Sequence, residues 1–282
     1  MKIDIVPARR ADLPAIESFL LREWAEYRPP PSKTPLRERN WLPDNDDFGV
    51  CLMADGQLAG YLGASYSMRP VDGVSERFCA IAPWFVKEEH RSHSLRMLFK
   101  LLADKNTTYV NYTPSRPMFK LFTGLGFAAL DEAKLLIPPL INLAGLRPWR
   151  SRLISEPSEV RRALTGNELK LFDDHVGTRS RHLAIVEGDR VCHVAVGRRL
   201  LRDIPFAEFL HVSEPDLLAP QIERIVWLLC RHFRAVAVAT DERLVAGTRL
   251  HSIRYRLNSP PVFKSGRVSR EKIDNMWSEL AF

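Results

Sequence analysis

Residues 76–127 read ERFCAIAPWFVKEEH (76–90) and RSHSLRMLFKLLAD (91–104), then, after two residues, TTYVNYTPS (107–115) and RPMFKLFTGLGF (116–127). The first block is an apolar run ending in charge, which predicts a strand over 78–86. The second predicts a helix over 92–104, with Leu95, Leu98, Phe99, Leu101 and Leu102 at helical spacing as its core stripe. A strand over 107–111 and a helix over 115–124 follow, closing on Leu125-Gly126-Phe127. This order sets a basic loop and a helix N-terminus beside a strand edge. Free amides and the helix dipole there favour an anion, so the stretch suits an enzyme that holds a phosphorylated carrier.

Upstream, GVCLMADGQLAGYLGAS (49–65) is two apolar strands meeting at Asp55-Gly56, a strong hairpin signal. About 130 residues later RHLAIVEGDRVCHVAVG (181–197) repeats the pattern, with its turn at Glu187-Gly188-Asp189. A strand over 206–212, a helix over 218–233, a strand over 235–240 and a short helix from 241 complete the second copy. The later helix carries Ile222, Ile225, Val226, Leu229 and Cys230 on one stripe. The same elements are therefore read twice. Pro138-Pro139, Pro148 and Pro157 mark a connector over 138–166. The tail, 258–282, breaks at Pro260-Pro261 and predicts a helix from Ser269 with Ile273, Met276, Trp277 and Leu280 facing inward.

With 282 residues, 45% hydrophobic and 27% charged, the chain can bury one large core or two ordinary ones. No apolar run approaches the roughly 18–20 residues that span a bilayer. The opening MKIDIVPARRADL has no apolar signal core, which places the chain in the cytoplasm. Cys51, Cys79, Cys192 and Cys230 lie scattered, with no C-x-x-C pair, and read as buried thiols. The net charge of +7 comes mostly from arginines in the second half. Arginine suits planar anions such as phosphate and carboxylate. They form no dense run and no aromatic-interleaved stripe, so nucleic acid is not the expected partner. No cluster of metal ligands and no Ser-His-Asp order stands out.

The 76–127 stretch resembles the GCN5-related N-acetyltransferase (GNAT) superfamily, and the resemblance extends over residues 1–137. Its loop motif, Arg/Gln-x-x-Gly-x-Gly/Ala, falls on Arg91, Ser92, His93, Ser94, Leu95 and Arg96. Serine and arginine replace the two small residues. The opening IDIVPARRADLPAIESFL is similar to the superfamily's first strand and helix, with Asp12 as N-cap. The resemblance implies acetyl-CoA, or another acyl-CoA, as co-substrate and no metal. The pyrophosphate would sit on residues 91–96, and the pantetheine arm along Phe85 and Val86, oriented by Asn111. Glu76 stands where the superfamily often carries a glutamate base. Phe122 replaces the tyrosine that often protonates the leaving thiolate, which leaves Tyr112 and Ser115 as substitute acids. His90 and His93 fall nearer the phosphates than the acyl group.

The fold class expected is α/β (α+β): two tandem GNAT-like domains, each a mixed, mostly antiparallel sheet flanked by helices. They divide as 1–137, which binds the donor, and 167–257, a degenerate copy. In the copy, HVSEPD (211–216) puts two carboxylates where phosphate would bind. Its expected work is to wall an acceptor cleft and supply Arg198, Arg199 and Arg202. The arrangement is similar to tandem acetyltransferase-like proteins associated with bacterial surface polysaccharide synthesis, implying a small-molecule amine or amino-sugar acceptor. Two alternatives stand beside acyl transfer. One is a non-catalytic module binding acyl-CoA or a protein, and the other an aminoacyl-tRNA-dependent transferase.

Overall fold

The computed structural model describes residues 1–26, 41–42, 44–139, 151–201, 203–248, 250–278 and 280. The first half runs β1 (Ile3–Pro7), α1 (Leu13–Glu23), β2 (Gly49–Ala54), β3 (Gln57–Val71), β4 (Val74–Val86), α2 (Ser94–Leu101), β5 (Thr107–Asn111), α3 (Arg116–Gly124), β6 (Ala128–Ala129) and β7 (Ala133–Ile137). The second runs β8 (Arg152–Ile154), α4 (Pro157–Ala163), α5 (Gly166–His175), β9 (Arg181–Glu187), β10 (Arg190–Leu201), β11 (Ile204–Val212), α6 (Pro215–Leu218), α7 (Ile222–Phe233), β12 (Val238–Asp241), β13 (Ile253–Arg256) and β14 (Val262–Lys264).

These strands make two mixed sheets of seven. The first has the order β1-β2-β3-β4-β5-β14-β6 and the second β13-β7-β12-β11-β10-β9-β8. Each is antiparallel except for one pair, β4–β5 in the first and β11–β12 in the second. Both expected hairpins form. Asp55 and Gly56 both take positive φ (47° and 79°), the pairing a two-residue type I′ turn requires.

Two strands are exchanged between the halves. β7 ends the first half in sequence yet pairs with β12 and β13 of the second sheet. β14 comes from the tail yet inserts between β5 and β6 of the first. A boundary at 137 therefore detaches β7 from the sheet it completes, and a tail of 258–282 that is only a packing helix leaves out a strand. Nor do the described residues at its end form the expected helix: one 3-10 turn, Arg270–Lys272, is followed by irregular chain with bends. Its backbone is already committed elsewhere. Asn275 N–H donates to the Leu210 carbonyl, and Tyr112 donates to the Asp274 carbonyl. Those groups are unavailable to an i→i+4 ladder. The connector, 138–166, lies partly outside the described residues; within it, 152–154 is β8 and 157–163 is α4.

The core follows the strand alternation. Val50, Leu52, Leu62, Cys79 and Ile81 meet Met97, Leu98 and Leu101 of α2 on one face of the first sheet. Cys51 and Tyr61 meet Leu13, Ile16 and Phe19 of α1 on the other. In the second sheet α7 buries all five residues of its stripe. Tail residues Val268 and Ile273 pack on Phe78 and Val110, while Met276 and Trp277 pack on Ala195 and Leu210. The tail is thus a wedge gripped by both sheets. Among the described residues, no helix is long and apolar enough to cross a membrane.

Candidate active site

The site is built where β4 leaves β5. Their parallel pairing covers Arg77↔Thr107 to Ala80↔Val110 and stops there, while β4 runs on to Val86 against β3 alone. Pro83 lies in this unaccompanied stretch and has no N–H to offer a neighbouring strand. Across from it the β3–β4 register shifts between Leu62 and Ala64, a bulge that re-aims the strand. Gly63 permits the close approach: a Cβ there would lie 2.6 Å from the Ala82 carbonyl oxygen. A cleft of about 450 Å³ opens beside the freed edge. Trp84, Phe85, Val86, Arg91, Ser94 and Met118 are among the residues lining it. Phe85, Val86, Arg91 and Ser94 of the expected donor-binding set therefore share one cavity.

The loop before α2 differs from expectation. The helix does not begin at Ser92; a 3-10 segment, Glu88–His93, runs directly into α2. Within it His90 N–H donates to the Lys87 carbonyl, and the Arg91 carbonyl receives both the amide and the hydroxyl of Ser94. The amide of Ser94 is thus already engaged, and the front of the helical rod moves back to Glu88 and Glu89. Two carboxylates in that first turn are unfavourable to phosphate. The cations of the loop are side chains, Arg91 and Arg96, both exposed; Arg91 Nη1 lies 3.9 Å from Glu88 Oε1 and Arg96 Nη1 3.4 Å from His93 Nδ1. Ser92 is exposed and His93 partly so. The helix also ends early, at Leu101, where the Asp104 carboxylate takes the Asn106 amide and the Thr107 hydroxyl in a tight turn. Its buried face is Met97, Leu98, Leu101 and Leu102, and Leu95 and Phe99 of the expected stripe face solvent.

The three expected catalytic residues do not come together. Glu76 is buried near the start of β4, opposite Arg69 on β3. At 3.3 Å per residue it stands about 20 Å along the strand from Ala82, at the opposite end of β4 from the splay. Tyr112 is fully buried in the tail cluster, its hydroxyl donating to the Asp274 carbonyl at 2.8 Å. Burial also raises its pKa, and with its hydroxyl committed to the tail it is closed off from a ligand. Ser115 is exposed at the N-cap of α3, with no side-chain bond into the helix. Asn111 ends β5 as expected, but its Oδ1 accepts the Thr113 amide at 3.1 Å. Phe122 is fully buried and packs on Phe127 and Trp84. The four cysteines are buried and free, and burial pushes the Cys51 and Cys192 thiols up to about 12.

In the second half the carboxylates of Glu214 and Asp216 both take Arg190 Nη2, at 2.5 and 2.6 Å. The chain's own arginine thus pairs with both carboxylates there. Arg199 pairs with the buried Glu208, Arg198 is exposed, and Arg202 lies outside the described residues.

A polar cluster that went unread in the sequence lies on the tail side of the second sheet. Glu168, His193, His211, His182 and Asp274 form a continuous hydrogen-bonded line. Burial opposes its charging, but bonds from His193 and His211 hold the Glu168 carboxyl down at about 2. The signal available was the 181–197 hairpin, whose register sets His182 across from Ala195 and on the face of His193. Glu168 and Asp274 join only through the tertiary fold.

No protein-family model and no curated protein matches the chain by sequence. Solved structures do match by shape. A probable N-acyltransferase from Enterococcus faecalis superposes over 94% of this chain and 72% of its own, at TM-score 0.57 and 12% identity. A GCN5-related N-acetyltransferase from Anabaena variabilis does so over 93% and 72%, at 0.55 and 9%. The Saccharomyces cerevisiae N-myristoyltransferase, solved with bound myristoyl-CoA, is covered to 83% of its chain by 97% of this one, at 0.50 and 10%. The chain has the fold of the GCN5-related N-acetyltransferases. The identities are low enough that the likeness concerns shape alone.

Proposed function

We propose that the chain is an acyl-CoA-dependent N-acyltransferase whose donor lies in the cleft beside the free edge of β4. The observation that carries this reading is the parting of β4 from β5 beyond Ala80 and Val110, with a lined cavity at the gap. An unpaired strand edge offers backbone groups to a pantetheine amide, as it would to another strand. The pyrophosphate then meets the guanidinium groups of Arg91 and Arg96 in place of the amides that the 3-10 winding has engaged. Rate enhancement comes chiefly from holding thioester and amine together. Ser115, accessible at the end of the β5–α3 loop, is the proton donor to test. The likeness to N-acyl-, N-acetyl- and N-myristoyltransferases supports a soluble amine as acceptor. An amino sugar carrying phosphate, drawn towards exposed Arg198, is the candidate, with the second half walling its cleft and acting in the cytoplasm.

Calorimetry with acetyl-CoA, then thiol release over a panel of amines, tests the reading. Arg91→Glu is expected to weaken donor binding at least tenfold while circular dichroism and melting stay as in the parent; an unchanged dissociation constant removes Arg91 from the site. A second reading is favoured by the wound loop and the distance of Glu76: a module that binds acyl-CoA without turning it over. Binding with no thiol release on any amine selects it.

A further inference from the structure

The polar cluster of the second sheet is a constructed site. His182 and His211 both register against Ala195, from β9 and β11, and His193 stands two residues before it on β10. All three imidazoles therefore occupy one face, grouped around a methyl side chain. Helix α5 lies over that face and sends Glu168 down from its first turn. Its Oε2 is 2.8 Å from His193 Nδ1 and 2.9 Å from His211 Nε2, and the three atoms lie within 4.8 Å of one another. His193 is fully buried and His211 nearly so.

We infer that Glu168, His193 and His211 bind a divalent transition-metal ion of the zinc class, with a fourth position left for water. Two imidazole nitrogens and one carboxylate are a donor set such ions take, and one that magnesium and calcium, which prefer all-oxygen shells, do not. Bonds of about 2.0 Å in a tetrahedron set ligand atoms roughly 3.3 Å apart, so the two contacts to Glu168 Oε2 open by about half an ångström while the two ring nitrogens, within 4.8 Å, come no more than about 1.5 Å closer. The far nitrogen of each ring is already held, as metal-bound histidines require. His211 Nδ1 meets Asp274 Oδ2 at 3.0 Å, and His193 Nε2 meets His182 Nδ1 at 2.9 Å.

The hydrogens can also be arranged for an ion. Metal on His193 Nδ1 requires its proton on Nε2, donated to His182 Nδ1. His182 then donates from Nε2 to Ser180 Oγ at 3.0 Å, Ser180 to Thr178 Oγ1 at 2.7 Å, and Thr178 to the His175 carbonyl at 2.8 Å. Every donor in that line finds an acceptor. Glu168, with its side chain 31% exposed, is the ligand that meets solvent and gives the ion its way in. Once bound, the ion ties α5 to β10 and β11, and through Asp274 to the tail.

The full-length protein, stripped with a chelator, is dialysed against zinc and, separately, cobalt(II). One equivalent is expected to bind, cobalt showing the visible bands of a four- or five-coordinate ion, and both signals are expected to vanish in Glu168→Gln and His193→Gln. No binding to the parent, or binding that persists in both folded variants, overturns the assignment. Should the variants not fold, anomalous diffraction at the zinc edge from crystals of the parent decides. A peak among the three ligand atoms upholds the site; zinc elsewhere, or none, overturns it.

Discussion

Tyr112 commits its hydroxyl to the Asp274 carbonyl, and that bond fastens the tail to the end of β5. Replacing it by phenylalanine is expected to cost about 1 kcal/mol of stability, the usual net worth of one such bond. Turnover should be unaffected, because the hydroxyl faces no cavity. Ser115→Ala should do the reverse, leaving the melting temperature in place and lowering kcat; equal loss of both quantities in either variant would contradict these roles. Residue types at the loop and strand end were legible in the sequence: Arg91, Phe85 and Val86 do line one cavity. Glu76 and Tyr112 are not among the residues lining it. A linear position says how far along a strand a side chain lies, but not where that strand parts from its partner, nor what the tail covers.

The helix stripes show what periodicity can and cannot determine. In α7 all five apolar positions of the stripe are buried, since the helix lies flat on its sheet. In α2 Met97 replaces Leu95 and Phe99 on the inner face, a rotation that the apolar pattern alone leaves undetermined because leucine and phenylalanine occur on both sides. The 3-10 winding of 88–93 was hidden for a similar reason: nothing in Glu88-Glu89-His90 forbids helix. Gly63 is the residue on which the splay turns. Gly63→Ala should force the Ala82 carbonyl aside, costing about 1–3 kcal/mol through overpacking and weakening acetyl-CoA binding along with it. Retained affinity in that variant would show that the bulge does not shape the cleft.

Across the whole molecule, the duplicated hairpin–strand–helix pattern was readable because each copy is local. The exchange of β7 and β14 was not, since short strands such as Ala133–Ile137 and Val262–Lys264 carry no mark of which edge they will join. The exchange is fixed in part by buried charge. Lys134 of β7 reaches Glu208 and Asp241, and Arg243 ties Asp241 to Asp131 and to Asn275 of the tail. Burial works against its charge, yet Lys134 and Arg243 hold the Asp241 carboxyl well below its ordinary value. A group with a lowered pKa in the fold stabilises above its unfolded value of about 3.9, and that contribution drains away as pH falls below it. Asp131 beside it is pushed up by burial and offsets part of this. The melting temperature is therefore expected to drop as pH falls from about 4 towards 2; a flat profile there would contradict the account. The most direct test of the central claim, that the splayed edge of β4 holds acyl-CoA, is amide hydrogen exchange with and without acetyl-CoA. Slowed exchange at residues 81–86, the 88–96 loop and the start of α3, with 74–79 unchanged, is the expected result. Exchange at 81–86 unaltered by saturating acetyl-CoA would contradict it.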